Sequence, residues 1–95
     1  MPKYAECKLT YDSYTVQVLV KYTEGDELKI YDDVNDEWYY MDDESLSFDL
    51  LSKSDHPDHA LAVTAIIDML SNSFDYNKII GSKDSPNFID LDSYL

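Results

Sequence analysis

Tyr14-Thr15-Val16-Gln17-Val18-Leu19-Val20-Lys21-Tyr22 decides the fold class, because its side chains alternate with a period of two. Tyr14, Val16, Val18, Val20 and Tyr22 share one face of an extended strand, and Thr15, Gln17, Leu19 and Lys21 share the other. Upstream, Lys3 to Tyr11 alternates in the same way: Ala5, Cys7, Leu9 and Tyr11 lie on one side, Tyr4, Glu6, Lys8 and Thr10 on the other. Asp12-Ser13 between the two runs reads as a tight hairpin turn. Downstream, Thr23-Glu24-Gly25-Asp26 reads as a turn in which Gly25 can take a positive φ, and Leu28 to Tyr31 as a short strand. Asp32 to Asp36 turns the chain again, into Glu37-Trp38-Tyr39-Tyr40-Met41. The first 41 residues therefore read as a four-stranded antiparallel meander.

The period changes after Ser54. Ala62, Val63, Ile66, Ile67, Met69 and Leu70 form a helical stripe, with Thr64, Asp68 and Ser71 opposite. Ser54 or Asp55 is the expected cap, with Pro57 in the first turn. Packing this helix on the apolar face of the sheet buries both stripes, so the expected fold is α+β, an antiparallel β-meander of about four strands on one main α-helix in a two-layer sandwich. The chain reads as a single domain over 1–95: β-rich over 3–51, helical over about 57–72, with an acidic C-terminal segment over 82–95. Leu46 to Leu51 fits a fifth strand or a helical turn equally well.

The 95 residues carry 20 acids against 7 lysines, a net charge of -13, and 44% are hydrophobic, enough for a core. The charge is concentrated. Residues 1–23 sum to +1, residues 24–49 to -10 and residues 50–95 to -4. In a meander alternate turns fall at the same end of the sheet, so the Glu24 to Asp26 turn and the stretch from Asp42 are expected together, with the Asp32 to Asp36 turn at the other end. Tyrosines flank these acids, and Tyr31 and Tyr39 are expected on the face opposite an inward Ile30 and Trp38; Tyr22, Trp38 and Tyr40 are read as core residues.

This balance opposes direct binding of nucleic acid or an anionic membrane, since phosphate recognition relies on Lys and Arg and the chain has no Arg. The single Cys7 forms no internal disulfide, the N-terminus lacks a signal-peptide pattern, and no stretch is long enough to span a bilayer, so a cytoplasmic protein is expected, in the host cytoplasm if phage-encoded. Cys7 reads as a buried small hydrophobe.

Chemistry-bearing groupings are sparse. His56 and His59, three apart beside Asp55, lack a clear set of four zinc ligands. Asp33, Asn35, Glu37 and Glu44 match positions 1, 3, 5 and 12 of a calcium loop, but Trp38 stands where the sharp turn needs glycine. No nucleophile with a base and an orienting group emerges. Neither an enzyme, a metal nor a cofactor is expected.

In size, charge and single-domain character the chain resembles small acidic phage- or plasmid-encoded DNA mimics, including anti-restriction and anti-CRISPR proteins. The likeness is one of type and assigns no residues. It implies an inhibitor, monomeric or homodimeric, that blocks a basic nucleic-acid-binding protein or complex of host defence. The expected contacts are Glu24, Asp26, Asp32, Asp33, Asp36, Asp42, Asp43 and Glu44, with Tyr31 and Tyr39 as non-electrostatic anchors. The alternatives are an immunity protein or antitoxin that neutralises a basic nuclease toxin, and an acidic scaffold or regulatory domain.

Overall fold

The structure, a computed structural model, describes residues 1–43 and 53–94. Strands β1 (Lys3–Tyr11) and β2 (Tyr14–Tyr22) form a long antiparallel hairpin with Tyr11 opposite Tyr14. Its two-residue turn places Asp12 at φ 50° and Ser13 at φ 68°, the mirror-image turn whose twist matches the flanking strands. Gly25 takes φ 85°, as its turn requires. β3 (Lys29–Asp32) pairs with β2, and β4 (Glu37–Tyr40) pairs with β3, both antiparallel. The four-stranded meander is therefore present.

Among the described residues, two strands extend it. β5 (Lys53–Ser54) pairs with Val16 and Gln17 of β2, on the edge that β3 occupies higher up at Val20 and Lys21. β6 (Asn87–Asp90) adds to the far side of β1 in parallel, giving the order β4-β3-β2-β1-β6. The C-terminal segment thus contributes a strand, and Leu91 just beyond it is fully buried. Gly81 makes this approach possible: a Cβ there would lie 2.2 Å from the Asn87 nitrogen and 2.5 Å from the Tyr4 carbonyl oxygen, so only glycine fits without moving backbone.

Helix α1 (His59–Asn72) covers one face of the sheet. It buries Ala62, Val63, Ile66, Ile67 and Leu70 against Ala5, Cys7, Leu9, Val16, Val18, Val20, Ile30 and Ile89. Each fully buried Val, Leu or Ile is worth about 1.5–3 kcal/mol, and this cluster is what holds the two layers together. The cap is Asp58, in place of the expected Ser54 or Asp55: its side chain accepts from the Leu61 N–H at 3.1 Å, while Ser54 is drawn into β5 and Pro57 precedes the cap. The sheet's other face has no helix against it among the described residues.

The face assignment of the β3–β4 hairpin differs from the expectation. Ile30 stands opposite Tyr39, and Tyr31 opposite Trp38. Residues directly opposite share a face, so Tyr39 joins Ile30 on the helix side and packs against the core, whereas Tyr31 and Trp38 stack on the open face at 4.9 Å between ring centroids. The loop between Asp32 and Glu37 sets this register. Tyr22 packs against the core as expected, but Tyr40 remains exposed.

Candidate functional site

The acidic residues divide into two ends of the β3–β4 hairpin. At one end the turn after β2 approaches the segment after β4. The Tyr40 hydroxyl donates to Asp26 at 3.3 Å, and Asp26, Glu27 and Asp42 line a groove of about 330 Å³ with Leu28, Met41, Ser71 and Tyr76. Ser71 belongs to the last turn of α1, which carries no basic residue, so the partial negative charge of the helix C-terminus adds to that of the carboxylates. Tyr76 feels this end: burial, then the Glu27 carboxylate, push its phenol pKa up. Lys29 is the counter-charge, 3.7 Å from Asp26 and over the Tyr40 ring at 4.8 Å. Glu24 is exposed in the same turn, and Asp43 is half-buried with its N–H bonded to the Tyr40 carbonyl.

At the other end, two adjacent aspartates do different things. Asp32 is 1% exposed, and its carboxylate accepts from the Val34 N–H at 2.9 Å, the Asn35 N–H at 3.2 Å and the Asn35 side-chain amide at 2.8 Å. Burial pushes its pKa up, but these hydrogen bonds to the charged form outweigh it and the net displacement is downward. Asp32 is a structural cap of the turn and is not available to a partner. Asp33 is exposed. Asp36, at φ 52°, accepts from the Tyr31 hydroxyl at 2.8 Å, and this bond is the main reason the Tyr31 pKa is raised. Glu37 accepts from Tyr39 at 2.6 Å, pushing the Tyr39 pKa up to about 12. Glu44 lies outside the described residues, as does the Leu46 to Leu51 segment.

Of the expected contact residues, Glu24, Asp26 and Asp42 are thus brought together at one end and Asp33 and Asp36 at the other, with Tyr31 on the open face between. Tyr39 is not on that face. The calcium-loop template from Asp33 runs through β4, whose Glu37 is committed to Tyr39.

His56 is not grouped with ligands. Its Nδ1 accepts from the Asp58 N–H at 2.8 Å, which places the ring proton on Nε2, 3.1 Å from Asp12 Oδ2. Tyr11 and Tyr14 contact its ring at centroid distances of 5.6 and 5.1 Å. His56 thus joins the β1–β2 turn to the start of α1. Among the described residues no three His, Cys, Asp or Glu side chains are placed to hold a metal ion. Cys7 is fully buried, and burial followed by the Glu6 charge pushes its thiol up to about 12.

A structural cluster also escapes sequence reading. Asp92 accepts from Lys8 Nζ at 2.6 Å, from the Thr10 N–H at 2.8 Å and from the Thr10 hydroxyl at 2.8 Å, clamping the C-terminal segment to β1. In sequence it is one more acid in an acidic tail. No helix among the described residues is long and apolar enough to cross a membrane. No protein-family model matches the chain, nor does any curated protein or solved structure.

Proposed function

We propose that the protein is an inhibitor that presents a polyanion-like surface to the cationic groove of a nucleic-acid-binding protein. The observation that carries this reading is the placement of exposed carboxylates at both ends of one hairpin edge: Glu24, Asp26, Glu27 and Asp42 at one, Asp33 and Asp36 at the other. Asp26 and Asp33 are seven residues apart, at most roughly 23 Å at about 3.3 Å per residue. Duplex DNA presents one phosphate per strand for about every 3.4 Å of its axis, so the two ends frame at most about seven base pairs. Fixed charge of this kind steers association, raising on-rates to as much as about 10⁸ M⁻¹s⁻¹ at low salt.

The open sheet face between the two ends supplies contact area. Tyr31, Trp38 and Tyr40 lie there, with Lys21 held 5.4 Å over the Trp38 ring. Such aromatics stabilise an interface beyond what charge alone provides.

The test is capture from a host lysate at low and high salt, with competing duplex DNA. A nucleic-acid-binding protein retained at low salt and displaced by DNA is the expected result. A partner whose retention ignores both salt and DNA sinks the proposal. Asp33→Lys with Asp42→Lys, both exposed, is expected to reduce the association rate, whereas the same change at buried Asp32 reports only on folding.

A further inference from the structure

β2 has two different neighbours along one edge. β5 pairs with it at Val16 and Gln17, and β3 at Val20 and Lys21, but the β3 pairing does not continue past Ile30. β3 and β4 instead continue together to Asp32 and Glu37. On this edge of β2, no described strand pairs with Val18 or Leu19. A groove of about 180 Å³ lies beside them on the open face of the sheet, with Glu6, Gln17, Leu19, Tyr31, Asp33 and Lys53 among the described residues that line it. This is below the roughly 300–1,000 Å³ that encloses a whole small molecule, and it fits a single side chain.

The walls define what that side chain is. Leu19 and Gln17 of β2 form the floor. Tyr31 offers a ring whose orientation is fixed, because Trp38 packs on it and Asp36 holds its hydroxyl. Glu6 on β1 and Asp33 after β3 bring carboxylates from opposite sides of β2, and among the described residues neither has an ion-pair partner. Among the described lining residues Lys53 on β5 is the one cation, and it forms no ion pair with either carboxylate. A flat cation with an apolar shaft satisfies this arrangement. Its face stacks on Tyr31, its N–H groups reach carboxylates on two sides, and its methylenes cover Leu19.

We propose that this groove binds an arginine side chain presented by the partner. The inference rests on the polyanion-mimic reading and deepens it: a basic surface that grips phosphates carries arginines, and this groove takes one as an anchor while the acidic ends supply the field. Lys53 then opposes the ligand, so its removal strengthens binding.

The probe is acetyl-arginine amide, titrated into the full chain and followed through the backbone amide resonances of Val18, Leu19, Tyr31 and Lys53. Saturable shifts confined to these residues are expected. Glu6→Gln and Asp33→Asn should each weaken the affinity about three- to fivefold, the upper range for exposed ion pairs. Lys53→Ala should tighten it, and acetyl-citrulline amide, the neutral isostere, should not saturate. Shifts spread equally over residues 24–27 and 42–43, equal binding of citrulline, or weakening by Lys53→Ala would each overturn the assignment. The two readings fail separately. If the probe saturates the groove but no DNA-displaced protein is captured, the groove stands and the mimic reading falls. If Glu6→Gln with Asp33→Asn captures the basic partner as strongly as the wild type, the groove is not the anchor and the mimic reading stands.

Discussion

Replacing Asp92 with Asn removes one charge and almost no volume, and it tests how the C-terminal strand is held. In the native protein the Lys8 ammonium, then the Thr10 N–H and hydroxyl, hold the Asp92 carboxyl down at about 2. Against an ordinary aspartate value near 3.9, the difference of roughly two pH units corresponds to about 2.5 kcal/mol. That is a ceiling, because the Asp92 and Lys8 side chains retain 28% and 22% of their exposure and solvent screens them. A discounted value of about 1–1.5 kcal/mol is appropriate, and for a domain of this size it lowers the melting temperature by about 5–10 °C. The sign follows from the depressed pKa. The stabilisation is complete above about pH 4, shrinks as pH falls, and is mostly lost at the native value of about 2. Melting curves of wild type and Asp92→Asn should therefore stand apart at pH 7 and converge by pH 2, where a protonated Asp92 resembles the amide. Self-repulsion among the other acids relaxes over the same range in both proteins and cancels in the difference. Equal melting temperatures at pH 7, or a gap unchanged at pH 2, would refute the clamp. Amide exchange in Phe88 to Asp90 gives a local check, since loss of the clamp should speed exchange there before it reaches β1.

Gly81→Ala should cost about 3 kcal/mol, at the upper end for overpacking, because the added methyl meets three backbone atoms within 2.7 Å and none of them is a flexible side chain. Denaturant titration measures this, and a loss under about 0.5 kcal/mol would show that the loop from Gly81 to Asn87 moves freely. Cys7 should resist alkylation in the native state at pH 8 and react fully once unfolded, since it is buried and its thiol is pushed up to about 12. Labelling of the folded protein at the rate of a free thiol would contradict its place in the core.

What sequence makes legible here is what neighbouring residues decide among themselves. The β1–β2 hairpin could be read because strand period and an Asp-Ser turn are local, and α1 because its stripe repeats within 14 residues. The β3–β4 faces could not, because they depend on how the loop after Asp32 sets the register, and reading that loop differently sends Trp38 inward and Tyr39 out. β6 could not either: the Asp92 clamp joins residues 82 apart, and nothing in Asn87 to Asp90 announces a parallel partner. The same distinction governs the charge. Counting treats Asp32 and Asp33 alike, yet one is consumed by three hydrogen bonds of its own turn and the other faces solvent. Asp36, Glu37 and Asp92 are likewise engaged by Tyr31, Tyr39 and Lys8. A surface that attracts a basic partner is made of the carboxylates left over once the fold has used its share, and the exposed Glu24, Glu27, Asp33 and Asp42 are foremost among them. Reversing charge at those four should therefore change association more per residue than reversing it at Asp36 or Glu37, although the net charge changes equally.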